Sequence, residues 1–195
     1  MSARAEPAVA DERLWLLRAL LVLVAPRRVF ATLRDDSQDV ATAREEAVLA
    51  LVLLAGIAAV LATPAYGRLM DDARVNGDGL LVAVIVFIGG GIYGAVVYWA
   101  SGLVVRGLVQ VLRREISYRQ ARHAVAFASA PLALTLVLVW PIRLALYGDD
   151  LFRSGGSDRG DGNAVFVGLE LVFIAWALLL LVLGVWTVAR RRAAR

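Results

Sequence analysis

Two charged side chains interrupt otherwise apolar parts of this chain, Arg143 and Glu170. Each sits about five or six residues inside one end of a long hydrophobic segment, roughly 8–9 Å deep at 1.5 Å per helical residue. A lone charge at such a depth costs about 2–3 kcal/mol, so residues like these pair, reach back to the interface, or carry protons or ions. Their matched depth on consecutive segments predicts an intramembrane ion pair. Read functionally it is a relay; read structurally it is a clamp or a pair snorkelling to the surface, and the second reading is the simpler one.

Other chemistry is sparse. The chain holds one histidine, His123, and no cysteine. That excludes disulfides, thiolate nucleophiles and cysteine metal sites, and it leaves a Ser-His-Asp triad or a histidine metal cluster without partners. Aspartates gather at 71, 72, 78, 149, 150, 158 and 161, and grouped carboxylates can bind a divalent cation. Residues 158–163 lack the spacing of a calcium loop, and Arg159 opposes one, so these read as solvated loops. No phosphate-binding glycine loop or zinc motif is present. The expectation is a protein that is not an enzyme and carries no cofactor or metal.

The elements that would position these residues follow from charge spacing. Residues 47–67, 79–105, 124–142 and 171–189 are each uncharged, and about 20 apolar residues cross a bilayer core of about 30 Å. The chain is 60% hydrophobic with a mean hydropathy of +0.70, which excludes a disordered chain and an ordinary soluble globule. The fold class expected is all-α: a polytopic membrane bundle of four transmembrane helices plus an N-terminal interfacial helix. Spans are placed at about 47–64, 79–106, 124–147 and 164–189. They lie in a transmembrane domain at 46–190, between an N-terminal segment at 1–45 and a basic tail at 191–195.

All 21 basic residues are arginine, and the net charge is +4. Sixteen of them flank the N-terminus, the middle loop and the C-terminal tail, against four in the two other loops. The positive-inside rule puts both termini in the cytoplasm of a multi-pass cell-membrane protein. A bias to Ala, Val, Leu, Arg and Gly without lysine has the look of a GC-rich bacterial gene, hence a bacterial inner membrane. Arginines placed beside spans, as at Arg27-Arg28 and Arg113-Arg114, suit a bilayer with anionic headgroups on the cytoplasmic side rather than nucleic acid.

Residues 14–25 make an apolar run too short to span, bounded by acids before it and Pro26-Arg27-Arg28 after it. This is no signal peptide but a helix lying in the interface. Pro26 then starts a second short helix with Val29, Phe30 and Leu33 on one face. Thr42 and Glu45 have the spacing of a capping box for the first span. The second span carries Gly89-Gly90-Gly91 and Gly94, so Gly90-x-x-x-Gly94 is a candidate for close helix packing, within the chain or against a second copy. Pro131 and Pro141 predict kinks in the third span.

Two segments resemble the Yip family, small membrane proteins named for interaction with Ypt/Rab GTPases. One is Val24-Ala25-Pro26-Arg27-Arg28-Val29-Phe30-Ala31-Thr32-Leu33. The stronger is Ile116-Ser117-Tyr118-Arg119-Gln120-Ala121 leading to Val125-Ala126-Phe127-Ala128-Ser129-Ala130-Pro131. The apolar span around Trp176 also fits, so the resemblance covers roughly residues 20–188. It implies a helical membrane fold and a trafficking-type or membrane-organising scaffold, with a homo-oligomer or another membrane protein as partner. Pro26, Phe30, Ser117, Tyr118 and Pro131 are the candidate interaction residues. Family members usually have five spans, whereas this chain shows four. The competing reading is a transporter or channel component built on the Arg143–Glu170 pair and the kinked third span.

Overall fold

The computed structural model describes residue 17 and residues 19–63, 79–148 and 161–191. Among these, four helical segments have the length and composition to cross a membrane: Glu45–Ala62, Val84–Val111, Tyr118–Tyr147 and Gly162–Val188. The helices are α1 (Pro26–Thr32), α2 (Gln38–Ala43), α3 (Glu45–Ala62), α4 (Gly79–Val111), α5 (Tyr118–Ala128), α6 (Ala130–Leu138), α7 (Trp140–Tyr147) and α8 (Asp161–Val188). Two two-residue strands, β1 (Arg114–Glu115) and β2 (Arg190–Arg191), pair antiparallel and tie the ends of the second and fourth spans. The polypeptide is an all-α, multi-pass integral membrane protein.

The third span is three helices. Ser129 and Val139 separate α5, α6 and α7, and a proline stands at the second position of each new helix. Proline lacks the N–H that would continue the ladder, and its ring crowds the carbonyl four residues back. Pro131 and Pro141 thus interrupt the bonds to residues 127 and 137. Nearby hydroxyls also bond to the backbone of the span: Ser129 Oγ donates to the Ala126 carbonyl at 2.7 Å and Thr135 Oγ1 to that of Leu132 at 2.6 Å. Serine and threonine hydroxyls can meet backbone carbonyls in this way within lipid.

The chain divides into two compact units. The first comprises Met1–Val52, Val97–Ala130 and Leu178–Arg195. Its core holds Val22, Val29, Phe30, Leu33, Val48, Val109, Ala121, Ala124 and Phe127. The face expected of α1 is the buried one, and Arg27 and Arg28 are exposed. Phe30 is fully buried because α8 presents a glycine: a Cβ on Gly184 would lie 2.6 Å from the Phe30 ring. Helical backbone at Leu17 and Ala19–Leu21 gives way to a turn that leads into α1, with Pro26 as its first residue.

The second unit comprises Leu53–Val96 and Pro131–Ala177. Here α3 and α4 meet without side chains between them. A Cβ on Gly56 would run into the Gly90 carbonyl and sit 2.8 Å from the Gly94 Cα; one on Gly90 would sit 2.6 Å from the Ile57 Cα. Small residues permit such contact between membrane helices, where dispersion replaces the hydrophobic effect. Gly89 faces open space, and α4 runs through all three adjacent glycines without a break.

Long stretches of α4 and α8 expose large apolar side chains, including Phe87, Ile92, Leu103, Leu108, Val172 and Leu179. In water such faces would drive association; in a bilayer they meet a solvent of their own kind. The Thr42–Glu45 capping box does not form. Thr42 Oγ1 instead donates to the Gln38 carbonyl at 3.0 Å within α2, and Arg44 separates α2 from α3. The loop carboxylates at 71, 72, 78, 149, 150 and 158 lie outside the described residues.

Candidate functional site

The densest polar constellation lies in the first unit, around Asp36. Asp36 follows α1 in the stretch Asp35-Asp36-Ser37, too rich in short polar side chains to continue a helix. Its carboxylate accepts from Ser117 Oγ at 2.6 Å and from Arg119 Nε at 2.7 Å, and it pairs with Arg44 Nη2 at 3.5 Å. A second guanidinium nitrogen of Arg119 donates to the Asp36 backbone carbonyl, and Nη1 reaches Gln38 Oε1 at 2.8 Å. Arg44 donates to the Asp35 carbonyl at 3.1 Å. The Arg44 side chain is wholly buried; burial lowers its pKa from the ordinary arginine value, while the Asp36 carboxylate acts in the opposite sense. Asp35 takes the Ser37 N–H at 3.0 Å, which holds its carboxyl below the usual carboxylate range.

Ser117 and Gln120 make the capping box that the sequence suggested elsewhere. Gln120 N–H donates to Ser117 Oγ at 3.0 Å, and Ser117 N–H donates to Gln120 Oε1 at 3.0 Å. The reciprocal pair satisfies two orphan donors at the start of α5. Gln120 also donates through Nε2 to the Leu33 and Arg34 carbonyls at 3.1 and 3.3 Å. Arg34 Nε donates to the Thr187 carbonyl at the end of α8, at 2.9 Å. The segment after α1 is thereby clasped to the start of α5 and to the end of α8.

One turn into α5, the Arg122 guanidinium lies over Trp99 at 3.8 Å, Tyr118 at 4.8 Å and Tyr98 at 5.2 Å from the ring centroids. The aliphatic stem of Arg122 crosses Gly102, where a Cβ would collide with the Arg122 Cγ. Tyr118 OH donates to the Trp99 carbonyl at 2.9 Å. A cation desolvated among three rings gains about 0.5–2 kcal/mol. Beside it, His123 is buried, and its Nδ1 has no hydrogen-bond partner among the described residues.

In the second unit Arg143 Nη1 donates to Glu170 Oε1 at 2.8 Å, and Nη2 donates to Asn163 Oδ1 at 3.0 Å. The pair is largely enclosed, and the guanidinium stands 5.1 Å from the Trp140 ring centroid. Asn163 and Trp140 complete this group, and neither is signalled by charge or spacing.

Of the residues singled out from the sequence, Ser117 and Tyr118 stand at the Asp36 clasp and the Arg122 stack. Phe30 fills the core beneath α1, which Pro26 begins. Pro131 breaks the third span, and Gly90 and Gly94 meet Gly56. Asp36 and Arg44 were not singled out from the sequence, and Arg119 and Gln120 stood only within the family-like segment. Only Ser117-x-x-Gln120 carried a local signal, the capping-box spacing. Among the described residues no group of three or more metal-ligating side chains occurs.

Comparison with curated proteins finds no match, and comparison with solved structures finds none. The family model described as the Yip1 domain matches residues 20–195, a range that takes in α1, the Asp36 clasp and all four spans. The chain is an integral membrane protein belonging to the Yip1 family.

Proposed function

We propose that this protein is a non-enzymatic membrane scaffold of the Yip type, organising membrane through lipid and protein contacts, with both termini in the cytoplasm. The reading is supported most by where the buried charges turn. Arg143 closes on Glu170 and Asn163, and Asp36 closes on Arg44, Arg119 and Ser117. Charges satisfied by fixed neighbours hold helices in place, whereas a conducting relay needs partners that water or substrate can reach. The exposed apolar flanks of α4 and α8 then serve lipid, a second copy or another membrane protein.

The competing reading, a transporter or channel component, gives Glu170 a different task. Purified protein in liposomes loaded with a pH-sensitive dye separates the two. For a scaffold, Glu170→Gln lowers thermal stability by about 1 kcal/mol, the scale of polar contacts between membrane helices, and changes no flux. A wild-type proton leak that Glu170→Gln abolishes without loss of stability would transfer the site to transport.

A further inference from the structure

Within the first unit a recess of about 540 Å³ opens beside the ends of α4 and α8, lined by Arg34, Arg106, Gln110 and Arg114 together with acidic and polar neighbours. The neighbours are already engaged. Asp36 is held by Arg44 and Arg119, which stand outside the recess, and the Ser117 and Gln120 polar atoms bond to Asp36, to each other and to the Leu33 and Arg34 carbonyls. Among the described residues Glu115 is the one further carboxylate on the lining. Three guanidiniums facing one acid and one neutralised acid leave the space positive.

These guanidiniums also keep donors available. Arg106 is exposed and has no hydrogen bond or ion pair among the described residues. Among the described residues Arg34 uses only Nε, on Thr187. Arg114 is held with its guanidinium carbon 3.8 Å over the Trp186 ring. Gln110 stands one turn beyond Arg106 on the same helix face. Planar forks of N–H donors converging on one space match the oxygens of a phosphate group.

Position selects the form of that phosphate. The recess sits where two apolar spans end, and Leu108, Val111, Leu112 and Trp186, within two residues of its lining residues Gln110 and Val188 in the sequence, are exposed. A headgroup phosphate held there leaves its acyl chains along apolar surface. We propose that Arg34, Arg106 and Arg114 form a binding site for the phosphate of an anionic phospholipid. The inference deepens the lipid-contact part of the scaffold reading and rests on it.

The test is native mass spectrometry of the full chain from mixed micelles holding equal phosphatidylcholine and phosphatidylglycerol. Wild type should retain phosphatidylglycerol in preference. Arg106→Gln should lower its occupancy about fivefold, the worth of one arginine at an anionic surface. Arg106→Lys should keep most of the preference, and Arg27→Gln, an exposed arginine outside the recess, should lose clearly less of it than Arg106→Gln. Gln110→Glu, which adds repulsion from solvent-exposed surface, provides a second variant that should lose it. Wild-type retention in both Arg106→Gln and Gln110→Glu, or an equal loss in Arg27→Gln, would overturn the site. Displacement of the lipid by an equal concentration of glycerol phosphate would overturn the lipid as its occupant in favour of a soluble phosphate. Loss of lipid preference in a bundle otherwise sealed to water would remove this site and leave the scaffold reading standing. A water-filled path would remove the scaffold reading whatever the lipid ratio.

Discussion

Replacing Asp36 with asparagine removes one charge and leaves the shape. The carboxylate accepts two short hydrogen bonds, from Ser117 Oγ and Arg119 Nε, and offsets the wholly buried Arg44. Hydrogen bonds involving a charged group contribute about 1.5–3 kcal/mol each, and breaking a buried pair costs about 3–5 kcal/mol. Three features reduce that sum. Asp36 is 25% exposed, its contact with Arg44 is 3.5 Å, and Arg44 keeps its bond to the Asp35 carbonyl. Asparagine also retains one acceptor oxygen. The expected loss for Asp36→Asn is about 2–4 kcal/mol. It would be read from tryptophan fluorescence as detergent-solubilised protein is titrated with denaturing detergent. The neighbouring Asp35→Asn supplies the control, since Asp35 is exposed and its carboxylate takes the local Ser37 N–H. A double-mutant cycle with Arg119→Gln should show coupling of about 1 kcal/mol or more. If Asp36→Asn unfolds with Asp35→Asn, or stays within about 0.5 kcal/mol of wild type, the clasp is surface decoration and the reasoning fails.

Other perturbations have equally definite outcomes. Gly90→Ala should destabilise by about 1–3 kcal/mol, because its methyl meets the Ile57 backbone, whereas Gly89→Ala should be neutral or stabilising; paired unfolding curves decide. Phe30→Ala should cost about 3–5 kcal/mol, and Phe30→Ala combined with Gly184→Leu should recover part of it if the ring and the glycine fill one space, as unfolding midpoints will show. The lowered pKa of Asp35 means that the stability it contributes is present above its unfolded value and lost as pH falls through the folded one. Asp35→Asn should therefore be slightly less stable than wild type at neutral pH and converge with it in acid, so that an acid titration of stability shows a shallower loss in the variant.

The spans were legible because uncharged runs of 19 residues or more have few other readings, and the breaks at Ser129 and Val139 follow from prolines visible in the chain. The buried face of α1 was legible for the same reason: a short helix with three apolar residues at 29, 30 and 33 has one stripe to bury. Pairing was not. Asp36 reads as solvated in an acidic connector, and its partners Ser117 and Arg119 are 81 and 83 residues away. Gly90-x-x-x-Gly94 announces a close approach without naming Gly56, a single glycine in an alanine-rich helix. Arg122 looks like one more interfacial arginine until Gly102 and three rings surround it. Local chemistry determines which segments are helices; which polar residues meet depends on the order in which those helices pack.

The scaffold account stands most directly on a cysteine-accessibility scan, which the absence of native cysteine makes clean. Single cysteines placed along α4, α6, α7 and α8 would be probed with a membrane-impermeant thiol reagent on protein in liposomes. The account predicts labelling confined to the loops and span ends, with positions beside Glu170 and Pro131 protected. A continuous labelled stripe reaching both neighbourhoods would mean a water-filled path through the bundle and would contradict it.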